Sequence, residues 1–180
     1  MAEDLRYDDS HDSGLSVARA ALIAECEREE ENCLYTSTSF FIWLRALKIV
    51  RATLWAGGAI GSIVSASSIL SGDQAHPILM AGLALAGVLM PGLIKAVRLD
   101  SAIKGYAMAA AAFKNLQGEF GRAARVWSNK PFPEFEAEVR KAIKAINEAR
   151  KPSLTPPEWC FRRAQKKIEK GDYQKGEDQQ

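Results

Sequence analysis

Over most of this chain, apolar residues recur with a helical period among charged ones, but in one region the charged partners disappear. Residues 52–72 and 74–94 contain no charged side chain, and only Asp73 stands between the two stretches. Each is close to the roughly 20 residues that cross a bilayer as a helix. Arg45, Lys48 and Arg51 precede the first stretch, and Lys95, Arg98 and Lys104 follow the second. Lys and Arg are retained on the cytoplasmic side of membranes, so both outer flanks are expected in the cytosol and the turn at 73–76 across the bilayer. The stretches are rich in Ala, Gly and Ser, as a buried hairpin of a soluble bundle also can be. Soluble helices seldom run about 20 residues without charge, because one face usually meets water. Two such runs with basic outer flanks favour a transmembrane hairpin with spans at about 52–72 and 77–94.

The flanking segments are helical as well. Leu15, Leu22, Cys26, Cys33 and Phe40 mark one face of a long N-terminal helix over 15–51, with an acidic run from Glu25 to Glu31 that reads as a solvated face. Thr36-Ser37-Thr38-Ser39 is a weak point, since four poor helix formers in a row can bend or break the helix. Beyond the second stretch, Leu99, Ile103, Tyr106, Ala110, Phe113, Gln117, Phe120, Ala124 and Trp127 alternate spacings of four and three. That is a coiled-coil-like seam on a helix over 95–128, continuous with the second span. Pro131 and Pro133 end it, and Phe135, Val139, Ala142, Ile143 and Ile146 define a helix over 134–150. Thr155-Pro156-Pro157-Glu158 reads as a capping box opening a last helix at 157–170. No strand pattern occurs. The expected class is all-α, a two-span transmembrane hairpin with cytosolic helices on both sides.

The 180 residues suffice for one domain, placed at 15–170, between an acidic disordered leader (1–14) and a polar disordered tail (171–180). The acidic start and the late first span leave no secretory signal to be read. The spans themselves are therefore expected to direct insertion, multi-pass, with both termini cytoplasmic. Cys26, Cys33 and Cys160 fall in the cytosolic parts, where thiols stay reduced. Seven residues of helix rise about 10.5 Å, too far for a disulfide between Cys26 and Cys33, so both are read as small apolar residues of a helix interface.

Catalytic chemistry finds no constellation. His11 lies in the leader and His76 in the turn, and no nucleophile elbow, phosphate loop or metal-ligand spacing occurs. No enzyme activity, cofactor or metal site is expected, and the ligand-binding residues cannot be assigned. The small residues of the first span carry the sharper reading. Gly57 and Gly61 form a GxxxG, adjoined by Gly58, Ser62, Ser65 and Ser68. Such residues let helices approach closely in lipid, and in an oligomer the same face would line a narrow, weakly selective pore. Pro91 and Gly92 are expected to act as a hinge in the second span. Arg45, Lys48, Arg51, Trp55, Lys95 and Arg98 are expected at the membrane interface. The basic last helix suits anionic lipid or an anionic nucleotide ligand. Basic residues are common at the inner membrane surface, however, and docking of its apolar strip on the bundle is the favoured reading. The helix is too short and too poor in aromatics for nucleic acid.

With this organisation, the chain resembles the SLATT family, two-span effectors of prokaryotic conflict systems. The resemblance rests on Glu25-Cys26-Glu27 through Tyr35, on Ser39-Phe40-Phe41, on Gly57-Gly58-Ala59-Ile60-Gly61-Ser62, and on Tyr106-Ala107 through Phe113, Leu116 and Phe120. It implies a prokaryotic inner-membrane location and a homo-oligomeric effector of anti-phage defence that permeabilises the host's own inner membrane, an abortive response. The implied trigger is a partner protein (a nucleotidyltransferase, nucleotide sensor or reverse transcriptase) or a nucleotide second messenger. The alternative is a non-conducting membrane scaffold or anchor for a partner protein.

Overall fold

The computed structural model describes residues 4–71, 77–152 and 154–171, with side chains from residue 14 onward apart from scattered positions between 65 and 94. The elements are α1 (Asp4–Ser71), α2 (Pro77–Ala96), α3 (Leu99–Arg125), a 3-10 turn (Trp127–Asn129), α4 (Phe132–Arg150) and α5 (Glu158–Glu169). Among the described residues no strand forms, so the protein is all-α as its periodicity predicts. The expected turn at 73–76 and most of the expected tail lie outside the described residues.

The chain forms two compact units, one comprising Met1–Phe40 and Met108–Gln180, the other Phe41–Ala107. In the first unit the core is built from Cys26, Cys33, Phe40, Ala110, Phe113, Phe120, Phe135, Val139, Ile146 and Cys160, all buried. Phe40 stacks on Phe113 with centroids 5.7 Å apart, and Tyr35 meets Phe161 at 6.1 Å. The seam expected on α3 is largely the one that is buried. Leu116 takes the place of the half-buried Gln117 because a straight helix has 3.6 residues per turn and drifts off a strict heptad.

The acidic run is not simply solvated. Glu30 receives both Arg125 guanidinium nitrogens at 2.9 and 3.0 Å, and Glu29 receives Arg150 at 2.8 Å. The Arg125–Glu30 pair ties α1 to α3, and the Arg150–Glu29 pair ties α1 to α4. Gly121 makes room for the first, since a β-carbon there would stand 2.6 Å from Glu30 Oε1. Arg19 donates to the carbonyls of Ser128 and Lys130, where the chain leaves α3 and cations are favoured.

Several local expectations are revised. The chain is helical from Asp4, well inside the expected leader, as suits acidic residues near a helix N-terminus. Thr36–Ser39 does not break α1, which runs on through these residues. The Ser37 and Ser39 hydroxyls donate to the carbonyls of Leu34 and Thr36 at 3.1 and 2.8 Å, so these small side chains are buried with their polarity satisfied. The seam helix does not continue the second span. α2 ends at Ala96, and Arg98, in the left-handed region at φ 51°, turns the chain into α3. α4 opens at Phe132 because proline is tolerated in a first turn, where its missing N–H has no partner to lose. The capping box before α5 does not form: Pro157 is the N-cap and no side chain caps it. A proline disfavours helical backbone in the residue before it, so Pro157 holds Pro156 out of the helix and delays the start to Glu158.

Burial pushes the Cys26 and Cys33 thiols up to about 11, with neighbouring Glu side chains adding to it, and raises Cys160 as well. The folded state thus holds these protons longer than the unfolded chain, whose thiols titrate near about 8.5. Their stabilising contribution is full below that pH and is lost as pH rises through about 11. Alkylation at pH 8 should leave all three cysteines unmodified in the native chain and modify all three in denaturant. Rapid native labelling would contradict the burial.

Candidate functional site

The second unit carries the residues singled out by sequence. Its polar end is a small cluster of Leu44, Leu47, Leu99 and Ile103, with Trp43, Leu54 and Tyr106 packed against it. Trp43 and Tyr106 meet edge to face at 6.3 Å, and Arg51 pairs with Asp100 at 2.8 Å. These contacts run antiparallel, ascending α1 while descending α3. Arg45, Lys48, Lys95 and Arg98 are exposed around this end, as is Trp55 at 55%.

Beyond Arg51, the described residues of α1 and those of α2 up to 94 bear no charge. Ile60, Ile63, Ile78, Leu85, Val88 and Leu89 are exposed, Ile78 to 88%. Polar groups here are turned inward on the helix: the Ser62 hydroxyl donates to Gly58 O and the Ser67 hydroxyl to Val64 O, both at 2.9 Å. α1 meets α2 through small residues. A β-carbon on Gly87 would lie 2.9 Å from Gly58 O and would collide with Ser62 Oγ, so the two backbones touch at this point. Gly58 and Gly61 are buried.

The residues expected to form one pore-lining or packing face are therefore divided. Gly58 and Ser62 lie at the contact with α2, and Gly61 is buried. Gly57 is exposed, with open space where a side chain would project. The side chains of Ser65 and Ser68 lie outside the described ones. The backbone at Pro91 and Gly92 is part of α2, which runs on to Ala96. Gly87 becomes the contact partner of Gly58 only through the fold, and no local motif announces it.

One helix among the described residues, Gly14–Val64 of α1, is long and apolar enough to cross a membrane, and only 17% of its most apolar window is buried within the chain. No group of three or more His, Cys, Asp or Glu among the described residues could hold a metal ion. In the first unit a cavity of about 550 Å³ opens between Phe40, Phe113, Arg150, Leu154, Glu158 and Phe161. Its walls come from α1, α3, the segment after α4, and α5, so no local motif announces it. Compared with known proteins, the chain matches no family, no curated protein and no solved structure.

Gly87→Ala should destabilise the α1–α2 contact by about 1–3 kcal/mol, the usual cost of overpacking. Ser62→Ala in the same chain should restore part of that loss by removing the colliding hydroxyl, while Gly58 O still opposes the new methyl. Thermal unfolding of the four chains of this cycle measures the coupling, and additive effects would contradict the geometry.

Proposed function

We propose that the chain is a two-span membrane hairpin, with α1 from about residue 52 and α2 crossing the inner membrane and both termini in the cytoplasm. It self-assembles and, when triggered by a partner protein or nucleotide second messenger, opens or disrupts that membrane as an effector of anti-phage defence. The observation that carries the membrane part is the exterior of the second unit. Ile60, Ile63, Ile78, Val88 and Leu89 are exposed on uncharged helices, a surface that water penalises at roughly 25 cal/mol per Å² and hydrocarbon does not. A charged and aromatic collar at Arg45, Lys48, Arg51, Trp55, Lys95 and Arg98 suits the inner headgroup layer. The defence role rests on the resemblance to the SLATT family. Enzymatic chemistry has no part in this reading.

Self-assembly falls to the face that the hairpin leaves open. Gly57, exposed and unobstructed, is where a second copy could approach α1 without first parting α1 from α2. A second reading, a non-conducting scaffold, gains from the same geometry. Gly58 and Ser62 are engaged within the chain, which leaves fewer small residues for contacts between copies.

Gly57→Leu separates the two. Cells expressing the wild-type chain with its genomic neighbours should lose membrane potential and admit dye. Gly57→Leu should still fractionate with membranes but lose depolarisation at least about ten-fold, as expected when close helix approach is blocked. A membrane that holds its potential despite confirmed insertion of the wild type would favour the scaffold. Recovery of the chain in the soluble fraction would overturn both readings.

A further inference from the structure

α5 buries Cys160 and Ala164 completely. At 3.6 residues per turn, Trp159, Arg162, Arg163, Lys166 and Lys170 fall within about 100° of arc on the other side. All five are exposed, Trp159 to 43%. Glu158 and Glu169 lie at one edge of this stripe, and Glu158 approaches Arg162 Nε only at 3.7 Å, with both side chains largely in solvent. The stripe therefore joins four cations to one exposed indole with no acid among them.

We propose that this face of α5 rests on an anionic phospholipid surface, the four cations against headgroup phosphates and Trp159 at the level of the glycerol backbone. Tryptophan is favoured at that depth, where its ring is shielded and its N–H stays wet. Each Lys or Arg near such a surface strengthens association about five-fold. A nucleic acid fits less well: four cations over three turns neutralise few phosphates, and one indole offers a single stacking platform. Cys160 and Ala164 on the docked face of the helix are buried, and the stripe is exposed on the other side. The surface requires only that a bilayer be present, and it does not depend on whether α1 and α2 cross it.

The test places the full chain on nanodiscs of brominated phosphatidylcholine alone, or of phosphatidylcholine mixed with brominated phosphatidylglycerol. The difference in quenching between wild type and Trp159→Phe isolates Trp159 from the other three tryptophans. That difference should appear with the anionic lipid and fade at high salt, where such contacts are screened. It should vanish in Arg162→Gln/Arg163→Gln/Lys166→Gln, in which association falls roughly a hundred-fold. Protection of Cys160 from alkylation shows that the variant keeps α5 docked, and carbonate extraction reports insertion of the hairpin separately. Equal quenching with brominated phosphatidylcholine alone, or quenching that survives the triple substitution, would overturn the proposal. So would an RNA oligonucleotide bound through these residues with no response to anionic lipid.

Discussion

The architecture depends on one stripe along α1. Cys26, Cys33, Ser37, Phe40, Leu44 and Leu47 are all buried and follow spacings of seven, four and three. Most helical stability in proteins comes from burying an apolar face against a partner, and the 68 residues of α1 carry such a face. α3 supplies that partner in both units. In the first, Phe113 and Arg125 meet Phe40 and Glu30; in the second, Tyr106 and Asp100 meet Trp43 and Arg51. Within each unit taken by itself, the pairs descend α3 as they ascend α1.

The two units solve burial by opposite means. In the first, aromatic rings, buried thiols and interhelical ion pairs fill the space between helices, and Gly121 is small so that Glu30 can reach Arg125. The exposed ends of those pairs contribute little energy individually, but they tie α1 to α3 and α4 at defined positions. Past its small cluster of Leu44, Leu47, Leu99 and Ile103, the second unit brings α1 and α2 together through small residues. Gly87 brings α2 onto the backbone of α1 at Gly58, and bulky residues point outward instead. Side-chain bulk on the inside suits a core formed against water. Bulk on the outside with glycine on the inside suits helices whose surroundings are themselves apolar, where close packing rather than hydrophobic expulsion holds the pair.

Serine serves both units through the same local device. Ser37 and Ser39 in the first, and Ser62 and Ser67 in the second, return their protons to carbonyls of the preceding turn. A hydroxyl satisfied in this way can enter a dry interface at little cost, so a segment of weak helix formers becomes a place where another helix can approach. Thr36–Ser39 reads as a break when propensity alone is weighed. Packing overrides that propensity: Ser37, Thr38 and Ser39 are buried, next in sequence to Phe40, whose ring stacks on Phe113.

Much of this was legible in the chain. Helical periodicity and the uncharged runs together predict the α-helices, though with α2 and α3 joined, and periodicity and proline signals place the bounds of α4 and α5 within two residues. The free thiols fall in the interior, where small apolar residues were expected. Those features depend on near neighbours in sequence, which composition and spacing report directly. Tertiary structure alone decided the rest. Glu29 and Glu30 become ion-pair partners because Arg150 and Arg125 arrive from more than ninety positions away. The small-residue face divides because the position of Gly87 on α2, not the motif on α1, selects Gly58 over Gly57. A spacing rule identifies which residues share a helix face; which neighbour that face meets is set by long-range packing, and no local pattern carries that information.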